Sequence, residues 1–175
     1  HAYRLKYNAD SRLILVGAHG GFEDYVSSLH ELVARLGVPN VHFVGHVSNE
    51  ELTALYDVAD LFLSASEHEG FCVPLMEAFY KKIPVVAFSA AAVPDTLDGG
   101  GVLYENKDPS RVASIMQAVL LDEVLQDEII LSQNAALERL MKNDFSKTLL
   151  DFINQVKQSP RLNQVPLTPD FWKQY

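Results

Sequence analysis

The strongest constraint on this chain lies between positions 61 and 79, where LFLSASEHEGFCVPLMEAF joins a short apolar run to a polar turn and then to a helix start. Residues 61–65 suit a strand covered on both faces, since buried parallel strands read as continuous apolar runs rather than alternation. Residues 66–71 leave the sheet through a polar loop containing Gly70. Pro74 fits the first position of the helix, where its fixed φ is tolerated and the missing N–H would have been unpaired in any case. That start predicts Glu77 in the first turn, with Glu69 on the loop before it.

A helix start presents unpaired N–H groups and a partial positive charge. The amides of Cys72, Val73, Leu75 and Met76 are therefore the expected donors to a phosphate or diphosphate. Glu77, one turn in, can accept from two neighbouring ribose hydroxyls, and Glu69 is left for another polyhydroxyl group. Taken singly, the two carboxylates read more simply as an exposed loop charge and an ordinary helix-start residue. Their joint spacing decides between the readings.

Glu69-Gly70-Phe71, then Pro74, then Glu77 resembles the E-x7-E signature of retaining glycosyltransferases of family 4 (glycosyltransferase group 1), which have the GT-B fold. The resemblance extends through residues 13–17 (LILVG), 41–47 (VHFVGHV), 50–63 (EELTALYDVADLFL), 84–88 (PVVAF) and 101–104 (GVLY), in that family's order, and covers roughly residues 1–145. It implies an α/β fold, a Rossmann-like three-layer αβα domain with a mostly parallel sheet, matching the C-terminal, donor-binding half of a GT-B enzyme. The implied reaction moves a sugar from a nucleoside-diphosphate sugar to a glycan, lipid or small-molecule acceptor, with retention of anomeric configuration. Glu69 would be catalytic and, with Gly70 and Phe71, would hold the donor sugar. Glu77 would hold the ribose, and Gly45, His46 and Val47 would lie beside the base. No cofactor or metal is implied. A GT-B nucleotide-sugar epimerase and a non-catalytic nucleotide-sugar-binding module are the alternatives; the epimerase is not expected to carry this E-x7-E run.

Composition narrows the field. With 175 residues, 48% hydrophobic, the chain is long enough for a full core. A net charge of −9 argues against nucleic acid as the main partner, so an anionic nucleotide must be met by local donors such as helix ends. The single cysteine, Cys72, excludes an internal disulfide and fits a reducing, cytoplasmic compartment. The resemblance also allows association with the inner face of a membrane through a full-length enzyme.

Along the chain, residues 1–10 read as the end of a helix, with Tyr3 and Tyr7 four apart, and residues 13–16 as the first strand. The GAHGG run at 17–21 matches neither dinucleotide nor P-loop spacing and reads as a plain turn. Val26, Leu29, Val33 and Leu36 form one helix face, ended by Gly37. Residues 41–44 are the second strand, and Ser48 with Glu51 forms a capping box for a helix reaching Ala59. Strands follow at 84–87 and 102–104, and Asp108-Pro109 opens a helix carrying Val112, Ile115, Met116, Val119 and Leu120. Two more helices are expected near 124–141 and 144–157, the latter burying Leu149, Phe152, Ile153 and Val156. The donor domain is expected over residues 1–158, with an irregular tail over 159–175 anchored by Phe171 and Trp172. Alternating strands and helices predict ligands at the carboxyl ends of parallel strands.

Several residues invite sharper readings. His19, His46 and His68 each follow a strand, but three loops without a close pair do not make a metal site. Cys72 stands where the family usually has glycine and reads as a small filler, not a nucleophile. Lys82 also replaces a glycine, and Lys81 and Lys82 read as a solvent-facing helix end. Ala91 and Ala92 stand in place of the family's glycine pair, and alanine is expected to forbid the positive φ that glycine allows. The resemblance implies, finally, that the N-terminal acceptor domain, the first strand of the donor domain and its basic diphosphate loop are missing, so that this chain alone is expected to be inactive.

Overall fold

The computed structural model describes residues 1–158. The described residues divide into two units, His1–Arg139 and a second that begins at Leu140. The expected tail, 159–175, with Phe171 and Trp172, lies outside the described residues.

In the first unit strands and helices alternate: α1 (Ala2–Lys6), β1 (Leu13–Val16), α2 (Glu23–Leu36), β2 (Val41–Gly45), α3 (Asn49–Asp57), β3 (Phe62–Ser64), α4 (Val73–Tyr80), β4 (Val85–Phe88), α5 (Val93–Leu97), β5 (Val102–Tyr104), α6 (Pro109–Leu121) and α7 (Glu123–Met141), whose last two residues pass the boundary. Every described strand pair is parallel. The strands form two ladders, β1–β2 and β3–β4–β5. The α/β class and parallel pairing agree with the sequence.

Local signals act where they were read. The Ser48 hydroxyl accepts from the Glu51 amide at 3.2 Å while Glu51 Oε2 accepts from the Ser48 amide at 2.8 Å, so the capping box closes in both directions. The helix it starts ends at Asp57, two residues short of the expected Ala59. Gly37 caps α2 at φ +58°, returning its N–H to the carbonyls of Ala34 and Val33. The Asp108 carboxylate accepts from the Arg111 amide at the start of α6. Tyr7, just past α1, meets Ser114 of α6 at 2.9 Å.

The core gathers around β4, the strand with a neighbour on both sides. Val85, Val86 and Ala87 are fully buried, together with Leu75, Ala78 and Phe79 of α4 and Val93 of α5. Val86 packs in one cluster with Tyr104, Val119 and Ile129. The expectation that residues 61–65 are covered on both faces is corrected: Leu63 is 37% exposed, and Phe62 and Ser64 on the other face are only partly buried. An apolar run alone does not show that both of its faces find cover.

Gln133 of α7 is the least expected member of this core. It is fully buried, and its amide grips the start of β4 twice: Oε1 accepts from Val85 N at 2.9 Å and Nε2 donates to the Ile83 carbonyl at 2.9 Å. Both polar ends of the side chain are thus satisfied without water.

In the second unit, α8 (Phe145–Gln158) forms where a helix was expected, but its apolar stripe is exposed. Leu149, Phe152 and Val156 stand at 57–61% exposure and Ile153 at 38%, so the expected burial is corrected. Helical periodicity predicts that a face is apolar; what covers it is a tertiary matter.

Candidate functional site

β3 ends at Ser64, and the chain turns through residues 65–72 into α4, so the E-x7-E segment occupies a strand-to-helix corner at the carboxyl end of a parallel strand. Cys72 is the N-cap of α4 at φ +60°, ψ 65°. A left-handed conformation there costs a side-chain-bearing residue about 1–2 kcal/mol, which explains why glycine suits the position. Val73 is the first helical residue and Pro74 the second. Both the expected place of Pro74 and that of Glu77 are therefore shifted: no acidic residue lies in the first turn, and Glu77 is the fifth residue of α4, at the start of its second turn.

The four expected amide donors are not equivalent. Leu75 N–H donates to the Cys72 carbonyl at 3.0 Å and is already engaged. The side chains of Leu75 and Met76 are buried, so these residues anchor the helix start in the core.

Glu69 is half-buried on the loop. Its carbonyl accepts from Ala92 N at 3.4 Å, and its carboxylate lies beside the Cys72 thiol. Burial, and then the charge and hydrogen bond of Glu69, hold that thiol above its usual range, so Cys72 stays protonated and is a poor nucleophile. Gly70 and Phe71 are exposed, and the Phe71 carbonyl accepts from Thr96 Oγ1 of α5 at 2.7 Å. The segment carrying Ala91 and Ala92 thus leads into the short helix α5, which braces the turn. Ala91 takes φ +48°, correcting the expectation that alanine would exclude a positive φ here. The left-handed penalty is small enough for surrounding contacts to impose it. Lys82 does the same at φ +57°.

Glu77 is half-buried, and its Oε2 accepts from Tyr56 Oη at 2.9 Å. Burial, then the bond to and charge of Glu77, push the Tyr56 phenol far above its usual range, so it remains a donor throughout the physiological pH range. Tyr56 stacks on Phe62, the first residue of β3, with ring centroids 6.2 Å apart. A groove of about 410 Å³ runs between α3 and α4, lined by Asn49, Thr53, Tyr56, Met76, Glu77 and Tyr80. A larger hollow of about 660 Å³ at the α6–α7 junction contains neither glutamate of the E-x7-E pair.

Gly45 ends β2 at φ +76°, and its carbonyl accepts from Gly17 N at 3.0 Å. His46 is exposed and Val47 half-buried as the chain runs to the Ser48 cap. These three residues thus adjoin the end of β1, while α3, which they lead into, reaches Glu77 through Tyr56. Among the described residues no three His, Cys, Asp or Glu side chains converge as metal ligands. Lys81 is tied to Asp57 at 2.5 Å.

Sequence reading missed Tyr56 and Lys107. Lys107 Nζ donates to the Ala65 carbonyl at 2.8 Å and to Glu67 at 2.7 Å, and lies 4.3 Å over the Phe88 ring, closing the ends of β3 and β4 together. The Lys107 hydrogen bond holds the Glu67 carboxyl below its usual range. For Tyr56 the available signal was an aromatic with a hydroxyl at the end of a capped helix; for Lys107 there was none.

Parallel strands feeding helices, with a carboxylate on either side of a helix start at a strand end, define a Rossmann-like domain of the GT-B glycosyltransferase type. The chain belongs to the glycosyl transferases group 1 family, whose model matches residues 1–157. It is 33% identical over 116 residues to the O-antigen chain mannosyltransferase B of Escherichia coli, covering 66% of this chain and 29% of that protein. The chain thus spans under a third of the length of that relative. Among solved structures it resembles the C-terminal domain of a glycosyl transferase group 1 family protein, LpcC, from Francisella tularensis, with 26% identity, a TM-score of 0.66 and coverage of 79% of this chain and 73% of that one. It also resembles Anabaena HepE, solved in complex with UDP-glucose, with 27% identity, a TM-score of 0.69 and coverage of 80% and 41%.

Proposed function

We propose that this chain is the donor-binding part of a retaining family 4 glycosyltransferase, which moves a sugar from a nucleoside-diphosphate sugar to a glycan, lipid or small-molecule acceptor. The observation that carries this reading is the corner at α4, where Glu69 lies beside the N-cap and Glu77 one turn further on. The likeness to a protein solved with UDP-glucose supports it.

In this reading Glu77 accepts from the ribose hydroxyls, and Gly45, His46 and Val47 border the base. The amides of Cys72, Val73 and Met76 meet the diphosphate, whose charge grows as the glycosidic bond breaks, so fixed donors at the helix start stabilise the transition state more than the ground state. Glu69, with the Gly70 and Phe71 backbone, orients the donor sugar and balances positive charge developing on its ring. No cofactor or metal takes part. Transfer requires an acceptor domain and a basic diphosphate loop beyond those described here, and this chain alone binds donor weakly and transfers nothing. The cysteine usage fits a cytoplasmic enzyme, with any membrane contact made through the full-length protein; no helix among the described residues is long and apolar enough to cross a membrane.

Calorimetric titration of the chain with UDP, GDP and ADP tests the reading. At least one should bind, and Glu77→Ala should weaken that binding by about tenfold or more, since a hydrogen bond to a charged group is worth about 1.5–3 kcal/mol. Binding of none of them, or no effect of Glu77→Ala, overturns it.

A further inference from the structure

We infer that Tyr56 is a positioning residue for ribose recognition: its phenol fixes the Glu77 carboxylate in the orientation from which Oε1 faces the nucleotide. This rests on the assignment of Glu77 to the ribose.

The geometry is specific. The Tyr56 hydroxyl donates to Oε2 at 2.9 Å, within the range of an O–H···O hydrogen bond. Among the described residues Oε1 has no other hydrogen-bond partner, so the tie takes one oxygen and leaves the other. A free glutamate has three rotatable bonds, and ordering it on binding costs side-chain entropy. A carboxylate already held needs less ordering when the ribose arrives, which raises affinity without a new ligand contact.

The tyrosine is itself held. Its ring stacks on Phe62 of β3, and its helix is started by the Ser48–Glu51 box. Sheet, α3 and α4 are thus linked through one phenol to one carboxylate. Both residues also line the groove between α3 and α4, so the pair is open on one side to a ligand. A tyrosine serving only to join two helices would make the same bond, and this is the rival to be separated.

The test uses the whole chain as wild type, Tyr56→Phe and Glu77→Ala, each titrated with UDP, GDP and ADP and with the 2′-deoxy counterpart of whichever binds. Wild type should prefer the ribonucleotide by about tenfold or more. Glu77→Ala should lose the preference. Tyr56→Phe should lose most of it while binding the deoxynucleotide about as wild type does, with an unfolding midpoint showing that it is folded. Retention of the full ribose preference by Tyr56→Phe, or equal weakening toward both nucleotides, would overturn the inference and mark the tyrosine as purely structural. Should Glu77→Ala keep the preference, or wild type bind no diphosphate, the ribose assignment itself fails and the inference with it.

Discussion

Gln133 and Val85 are joined at 2.9 Å by a buried hydrogen bond that spans 48 positions of sequence and attaches α7 to the first residue of the central strand. The same side chain takes the Ile83 carbonyl, so one glutamine satisfies a donor and an acceptor that β-pairing does not reach. Beyond its far end, β4 leads to Ala92, whose N–H donates to the Glu69 carbonyl.

Gln133→Leu keeps the volume and removes both bonds. Each buried polar group left unsatisfied costs about 1–3 kcal/mol, so a loss of about 2–4 kcal/mol is expected in urea unfolding. A loss under about 0.5 kcal/mol would show that water or backbone movement replaces the glutamine.

Lys82→Gly should stabilise the chain. Lys82 is exposed at φ +57°, where relief of about 1–2 kcal/mol of left-handed strain is partly offset by about 0.5–1 kcal/mol of extra unfolded-chain entropy. A net gain of about 0.5–1 kcal/mol is expected from thermal or urea unfolding. Lys82→Val, β-branched at the same φ, should move stability the other way, and a gain there would remove strain as the explanation.

Cys72 should report on Glu69. Burial, then the adjacent carboxylate, raise the thiol's pKa, so alkylation by iodoacetamide should be slow at neutral pH. In Glu69→Gln the negative neighbour is gone, the thiolate becomes easier to form, and the rate–pH profile should move to lower pH. An unmoved profile would mean that the two side chains do not interact in solution.

Glu69→Gln, made in a complete enzyme, should separate chemistry from nucleotide binding if the proposed roles hold. A group that interacts more strongly as the sugar becomes cationic lowers kcat when removed, whereas one that contacts both states equally changes only KM. The expected result is a fall in kcat of about 10²-fold or more with nucleoside-diphosphate affinity nearly unchanged. Loss of diphosphate affinity as severe as in Glu77→Ala, with kcat held at saturation, would mean that the two glutamates have been given each other's role.

Much of this was legible in the sequence because the signals are local. The Ser48–Glu51 box, the Gly37 cap and the strands at 13–16 and 102–104 depend on residues a few positions apart, and they form where those residues predict. The Glu69–Glu77 spacing, with the run around it, likewise pointed to the family by itself.

What failed was whatever depended on neighbours distant in sequence. Residues 61–65 looked covered on both faces because apolar character does not record what packs against a strand, and Leu63 of β3 is exposed. The stripe on α8 looked buried because periodicity marks a face without its cover. Ala91 was expected to avoid a positive φ, yet a penalty of about 1–2 kcal/mol is within what packing can impose.

The sequence by itself therefore determined the order of elements, several of their caps and the spacing of the two carboxylates about one helix, all set by backbone preferences and side-chain types within a few residues. Only the tertiary structure decided that Tyr56 holds Glu77 across 21 positions and that Gln133 holds β4 across 48. Such bonds form when packing brings distant segments within about 3 Å, and local preference carries no information about which segments those will be.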